Sequence, residues 1–273
     1  MDLSLEKVSV SFGGKAALAG VSLAIEPGER LAVIGASGAG KSTLFRAVTR
    51  DVEIKGEVRI GDRNVHALPK RELRETRGSI GTIHQAYNLV PQLPAGMNVA
   101  LGEVGSMGNL KTLRAFLTGP EKSLAGRVEE AMERVGLGGM SGMRTSNLSG
   151  GQQQRVAVAR LLVQRPGLVL ADEPFAAVDQ VTTERVFGAL LDLNNAGATL
   201  VVSLHDVEIA KRFPRIVALK EGSVAYDGDP ARLTGEKLSD IYAGDMEKRP
   251  EENGHQEPDL AWRIKGQDGI GAH

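Results

Sequence analysis

The sequence predicts an α/β fold: a parallel sheet with helices on both faces, interrupted by a helical insert. Three observations carry that expectation. The apolar runs LAVIG (31–35), GLVLAD (167–172) and ATLVVSLH (198–205) have strand length and little alternation, as suits strands covered on both faces. Helical patterns separate them, and alternating strands and helices build a parallel sheet. From about Asn88 to Arg160 the elements then turn nearly all helical.

In chain order, residues 3–10 alternate as a strand and VSLAI (21–25) forms a second, with Pro27-Gly28-Glu29 turning the chain. LAVIG follows, then a glycine-rich segment and a helix pattern at TLFRAV. EVRIGDRNV (57–65) reads as a hairpin around Gly61-Asp62. A charged helix, PKRELRETR, leads to the strand IGTIH. In the insert, EKSLAGRVEEAMERVGL (121–137) has apolar residues at helical spacing and Gly136 near its end. RIVALKEGSVAYDG closes the pattern as a hairpin. From about Lys248 the tail is polar and rich in Gly and Pro, for which disorder is the default expectation; Trp262 is its one candidate for docking.

The bulk properties exclude several classes. The 273 residues, 41% hydrophobic, suffice for one large domain or two subdomains sharing a sheet. With 33 basic and 34 acidic residues there is no strongly basic balance of the kind that nucleic-acid binding uses, so no nucleic-acid partner is expected. The chain has no cysteine, which removes disulfides and thiolate zinc sites and fits a reducing compartment. The start lacks a signal-peptide pattern, and no apolar run reaches the ~20 residues of a spanning helix. Any membrane role is then peripheral and needs another polypeptide to cross.

Gly35-Ala36-Ser37-Gly38-Ala39-Gly40-Lys41-Ser42 matches G-x-x-x-x-G-K-[ST] between an apolar strand and a helix. Gly35, Gly38 and Gly40 let the backbone wrap a phosphate and aim N–H groups at it, with Ser37 and Thr43 in the same cradle. The following helix offers its N-terminus to an anion. Lys41 is expected to reach the outer phosphates and the Ser42 hydroxyl to ligate Mg²⁺. The motif alone does not separate a kinase, a GTPase and a transport ATPase.

Leu168–Ala171 lead into Asp172 and Glu173, two acids at the carboxyl end of a buried strand, where open α/β sheets bind ligands. Asp172 is placed to hold Mg²⁺ and Glu173 to polarise the attacking water. A positioned base typically gives ~10²–10⁴ in rate, or roughly 3–5 kcal/mol of barrier. The bland reading is a solvated acidic pair before Pro174.

Leu148-Ser149-Gly150-Gly151-Gln152-Gln153-Gln154-Arg155 precedes the helix pattern VAVARLLVQ. Ser149 is a good N-cap, and the glycines free backbone N–H groups for a second anion-ready helix end. One ATP does not need two such ends, whereas two subunits packed head to tail would use both.

LSGGQQQR resembles the signature motif of ABC-transporter ATPases, and the likeness covers about residues 3–245. It implies a P-loop NTPase core with an antiparallel β subdomain and an inserted α-helical subdomain. Residues 3–247 would form the nucleotide-binding domain, with the insert at about 88–160 and the tail at 248–273. It implies further site roles. Phe12 would stack on adenine, although a core role is the ordinary one for Phe. Gln85 would sense Mg²⁺ and contact the channel. Asp179 would link the two sites across the dimer. His205, ending TLVVSLH, would contact the γ-phosphate, where a lone His is more often structural. Ser149, Gly150, Gly151 and Gln152 would reach the partner's nucleotide.

Within that family, QAYNLVPQL (85–93), LVQRPGLVLADEP (162–174), VVSLHDVEIAKRF (201–213) and KLSDIYAGD (237–245) resemble phosphonate-import ATPases. ATPases for lipoprotein release, macrolide export and polar amino acids share parts of these, and non-transport ABC ATPases are a further alternative. The resemblance implies ATP and Mg²⁺ as ligands, a homodimer, membrane permease subunits, an extracellular or periplasmic substrate-binding protein, and a place on the cytoplasmic face of the inner membrane. Three departures stand out: Ala176 where serine is usual, His84 for an aromatic, and Ala95-Gly96-Met97 for a hydrophobic-acidic stretch.

Overall fold

The computed structural model describes residues 1–84, 87–103, 122–176 and 178–246. Gln85, most of the stretch between α3 and α4 defined below, and the tail from 248, Trp262 included, lie outside the described residues. The strands are β1 (Leu3–Phe12), β2 (Lys15–Ile25), β3 (Arg30–Ile34), β4 (Lys55–Ile60), β5 (Arg63–Asn64), β6 (Ile80–Ile83), β7 (Leu168–Asp172), β8 (Thr199–Ser203), β9 (Arg215–Lys220) and β10 (Ser223–Gly228). The helices are α1 (Lys41–Val48), α2 (Lys70–Gly78), α3 (Ala95–Ala100), α4 (Lys122–Arg134), α5 (Gly150–Gln164), α6 (Gln180–Asn195), α7 (Val207–Ala210) and α8 (Gly235–Met246).

Two sheets organise them. A four-stranded antiparallel sheet runs β2-β1-β4-β5. A six-stranded sheet runs β10-β9-β3-β8-β7-β6, parallel except for the β10 edge. Successive residues of a strand face opposite sides, so each central strand feeds two cores. Leu31, Val33, Leu168, Leu170 and Val201 join β1, β2, β4 and α1 on one side. Ala32, Ile34, Val169, Ala171, Leu200 and Val202 join α4, α5 and α6 on the other. This double burial is why the central strands read as unbroken apolar runs. Between β6 and β7, the described residues hold only helices, 3₁₀ turns and one isolated bridge, Pro94 to Arg144. No helix among the described residues is long and apolar enough to cross a membrane.

Side-chain caps mark the starts of α5 and α6. Ser149 and Gln152 form a capping box at α5: the Gln152 N–H donates to the serine hydroxyl, and the Ser149 N–H donates to Oε1 of Gln152 at 2.8 Å. Asp179 caps α6, accepting from the Thr182 N–H at 2.9 Å and from its hydroxyl at 2.8 Å. Those hydrogen bonds, the backbone one first, hold the Asp179 carboxyl below the usual aspartate range.

Arg215 staples the two sheets together. From the first residue of β9 its guanidinium donates to both carboxylate oxygens of Asp227 on β10, at 2.6 and 2.7 Å. It also reaches Glu29 in the turn after β2 and the Ala24 carbonyl of β2, each at 2.9 Å. These bonds, Asp227 foremost, push the guanidinium above the ordinary arginine range. A lysine has a single ammonium and cannot match this planar fork. Arg215→Lys is therefore expected to destabilise the fold by about 2 kcal/mol, the scale of lost charge-assisted hydrogen bonds. Thermal unfolding reads this as a midpoint lower by about 4–8 °C for a domain of this size; an unchanged midpoint would remove the staple.

Candidate functional site

The carboxyl edge of the parallel sheet gathers most of the residues singled out from the sequence. β3, β8 and β7 are neighbours. Their registers set Val33 beside Ser203 and Ser203 beside Asp172. The loop after β3, the turn after β8 and the acids ending β7 therefore open at one level, where ligands of such sheets bind.

The loop after β3 closes tightly. A Cβ on Gly35, at φ 148°, would stand 2.3 Å from the Leu219 carbonyl oxygen, and one on Gly40, at φ 109°, would stand 2.7 Å from the Ala17 carbonyl oxygen. Only glycine fits either place. Lys41 is buried, and its Nζ donates to the carbonyls of Gly35 and Ala36 at 2.7 and 3.1 Å, so the ammonium lies inside the loop. Ser37, Gly38 and Ser42 are exposed and Thr43 is half-buried. Phe12 ends β1 with 46% of its surface exposed, and the Arg46 guanidinium of α1 lies 5.5 Å from its ring centre. It is thus not a core residue.

Asp172 is almost fully buried, and Ser203 Oγ donates to its Oδ1. Oδ2 carries no hydrogen bond among the described residues, and Ser42 lies in the first turn of α1, after the cradle. A carboxylate oxygen and a hydroxyl are the hard donors that Mg²⁺ takes together with phosphate oxygens, so these residues fit the ion. Glu173 adopts φ 52°, the left-handed region that a non-glycine residue rarely enters. Its Oε1 lies 2.5 Å from Nε2 of His205. β8 ends at Ser203, so His205 sits two residues past the strand in the turn before α7, not at its last position. The direct contact between Glu173 and His205 did not follow from the sequence, which offered each a separate task.

The Ser149-Gly150-Gly151 tip starts α5. The C-terminal half of that helix meets β6, where Gln164 reaches the Gly78 and Ile80 carbonyls, while one turn from the tip Gln154 reaches the Glu173 carbonyl. Ser149 and Gly150 are exposed. The Gln152 side chain folds back into the capping box, a role legible in the S-x-x-Q spacing but not drawn from it. Asp179 likewise uses its carboxylate to cap α6 within its own chain. A cavity of about 800 Å³ opens elsewhere, between α4 and the C-terminal ends of α5 and α6, beside Arg134, Arg165 and Asp192. It lies at the amino edge of the strands and holds none of the site residues, so volume does not mark the site here.

Known proteins fit this geometry. A family model described as ABC transporter matches residues 18–176. The phosphonates import ATP-binding protein PhnC of Stutzerimonas stutzeri is 42% identical over 253 residues, spanning 90% of this chain and 91% of that protein. The protein of that name from Caulobacter vibrioides is also 42% identical, over 90% of this chain and 94% of its own. Among solved structures, the ATP-binding cassette MJ0796, in a dimeric post-hydrolysis state bound to ADP and Pi, has a TM-score of 0.75 and 33% identity. It covers 84% of this chain and 98% of its own. The chain belongs to the ABC transporter family, as an ATP-hydrolysing cassette of the same family as the phosphonates import ATP-binding proteins.

Proposed function

We propose that the chain is the ATPase subunit of an importer for phosphonates or related phosphorus oxyanions. Two copies would work head to tail on the cytoplasmic face of the membrane, beneath separate permease subunits supplied by a substrate-binding protein. One observation carries the shared-site part of this reading. The cradle, Asp172, Glu173 and His205 converge at one edge, while a second anion-ready helix end of the same chain, at Ser149 and Gly150, stands exposed at the start of α5. The names of the relatives support the cargo.

The steps follow from the residues. The loop Gly35–Thr43 wraps the phosphates with backbone N–H groups and the α1 N-terminus, while Lys41 turns from its own carbonyls to the outer phosphates. Phe12, at the rim, offers an exposed ring to the base. Mg²⁺, held through Ser42, Asp172 and Gln85, would neutralise charge on the β- and γ-phosphates. Glu173 takes a proton from the water that attacks the γ-phosphorus. The bond from the γ-phosphorus to the ADP oxygen breaks, leaving ADP and phosphate. His205, in contact with the Glu173 carboxylate, orients it and faces the γ-phosphate. Ser149, Gly150, Gly151 and Gln152 of the second copy close on the same γ-phosphate, and Asp179 lies on the path between the two sites. Loss of the γ-phosphate removes the contact that distinguishes closed from open, and the pair reopens.

Glu173→Gln is expected to keep ATP binding and to accumulate a closed ATP-bound dimer, measured by sedimentation. Its turnover should fall by about 10² or more, the scale of a lost positioned base; undiminished hydrolysis would take the role from Glu173. Ser149→Arg is expected to leave nucleotide affinity intact while ATP turnover at saturating ATP collapses, and a full rate from dilute monomer would defeat the shared site. For the cargo, a strain lacking this gene should lose growth on a phosphonate as sole phosphorus source but keep growth on phosphate. Normal growth on both would point to one of the other transporter classes.

A further inference from the structure

Glu173 is held from two sides by residues that the sequence did not mark. Ser203 is wholly buried on β8, opposite Asp172. Its hydroxyl donates to Asp172 Oδ1 and accepts the N–H of Glu173 at 3.0 Å. One hydroxyl thus touches both acids. From the other side, Gln154 of α5 is 1% exposed and donates from Nε2 to the Glu173 carbonyl at 3.3 Å. Its Oε1 is buried with no hydrogen bond among the described residues.

Backbone satisfaction does not explain either contact. The Glu173 N–H also donates to the Ser203 carbonyl at 3.2 Å, and the Glu173 carbonyl also accepts from the Ala176 N–H at 3.1 Å. A buried amide with an orphaned oxygen works against stability, and its one hydrogen bond goes to a carbonyl that already has a donor. What the two side chains add is orientation. They grip the peptide groups on both sides of a residue in a sparsely populated conformation, and such conformations persist only where the surroundings over-determine them. The carboxylate that results lies against His205.

We infer that Ser203 and Gln154 are positioning residues for hydrolysis, which together lock the backbone of Glu173 so that its carboxylate meets the attacking water. Ser203 also fixes the rotation of the Asp172 carboxylate by binding one of its two oxygens. The inference rests on Glu173 as the base.

The two residues should fail differently. In the purified full-length chain, Ser203→Ala and Gln154→Leu are each expected to lower kcat by about ten- to a hundredfold, the scale of a misplaced reacting group. The KM for ATP should stay within about twofold. Ser203→Ala should also raise the Mg²⁺ concentration that gives half-maximal rate, because Asp172 loses its fixed orientation. Gln154→Leu touches only Glu173 and should leave that concentration unchanged. Ser203→Thr, which keeps the hydroxyl, should recover part of the rate. Gln154→Leu removes the orphaned acceptor and should unfold no earlier than the parent, so it decides the matter even if Ser203→Ala folds poorly. A kcat within twofold of the parent for Gln154→Leu, or a loss that only tracks loss of folded protein, would overturn the inference. With Glu173→Gln inactive beside it, that result sinks the positioning claim alone. If Glu173→Gln itself turns over normally, the base assignment fails first.

Discussion

The parallel pairing of β7 with β8, which sets Asp172 beside Ser203, is the constraint on which the site depends. β8 is also held on its other side by β3, with Val33 beside Ser203. Three strand ends are thereby level, and each carries a different part of the proposed site: the cradle after β3, the turn with His205 after β8, and the acids at the end of β7. Strand side chains alternate with a period of two, so a slip of one residue would turn Ser203 away from Asp172 and exchange the two cores. Such a slip would also break the hydrogen bond from Ser203 to Asp172, so the register of these strands fixes the geometry of the edge.

α5 is the second organising element, because side chains bolt it to backbone carbonyls along its length. At its start Arg155 donates to the carbonyls of Val135 and Gly136, just past α4. One turn in, Gln154 reaches Glu173. Further on, Arg160 holds the carbonyls of Tyr87 and Asn88, and Gln164 those of Gly78 and Ile80. Burial lowers the Arg160 pKa, since its charge leaves water and meets carbonyl dipoles in place of a carboxylate. Tyr87 and Asn88 both have positive φ, at 56° and 46°, so Arg160 grips a strained stretch two residues past Gln85. A helix tied at these points moves as a body. Displacing its N-terminal tip displaces the supports of Glu173 and of the segment following Gln85 together, which is how packed elements pass small shifts over a distance.

Much of this was legible. The central strands announced themselves because burial on both faces removes alternation, and the cradle did so because strand, glycines and helix stand in one order. The hairpin at Gly61-Asp62 and the helix stopped at Gly136 were equally plain, the latter closing at φ 71°. Strand order was not legible, since adjacency is decided by crossovers that leave no local mark. Everything that rests on β7 lying beside β8 was therefore hidden, including the Glu173–His205 contact and the whole role of Ser203. In the sequence Ser203 is one small residue in a strand of valines. Gln154 was hidden for a different reason: it sits inside a motif whose reading ended at Gln152, and only the burial of that face of α5 shows where it points. The caps lay between these extremes. The N-cap expected at Ser149 is there, whereas the D-x-x-T at Asp179 and the Gln152 half of the S-x-x-Q box carry a local signal that the larger expectation for those residues obscured.

The presence of two anion-ready helix ends in one chain has an energetic consequence for the proposed dimer. A ligand shifts an equilibrium only by its difference in affinity for the two states. Nucleotide bound to the cradle alone makes the same contacts whether a second copy is near or far, and so cannot favour closure however tightly it binds. In that proposal, the contact that differs would be the one made by the partner copy's serine–glycine tip, and it would exist only while a γ-phosphate is there to receive it. Moving a pair from mostly open to mostly closed takes about 5.5 kcal/mol of such difference. A capped helix end with free N–H groups, met by a charged phosphate in a site that excludes water, is an economical source for it. The same reasoning gives the tip's place on α5 a use: a tip joined through Gln154 to Glu173 would let closure at one nucleotide be felt by the proposed base that serves the other.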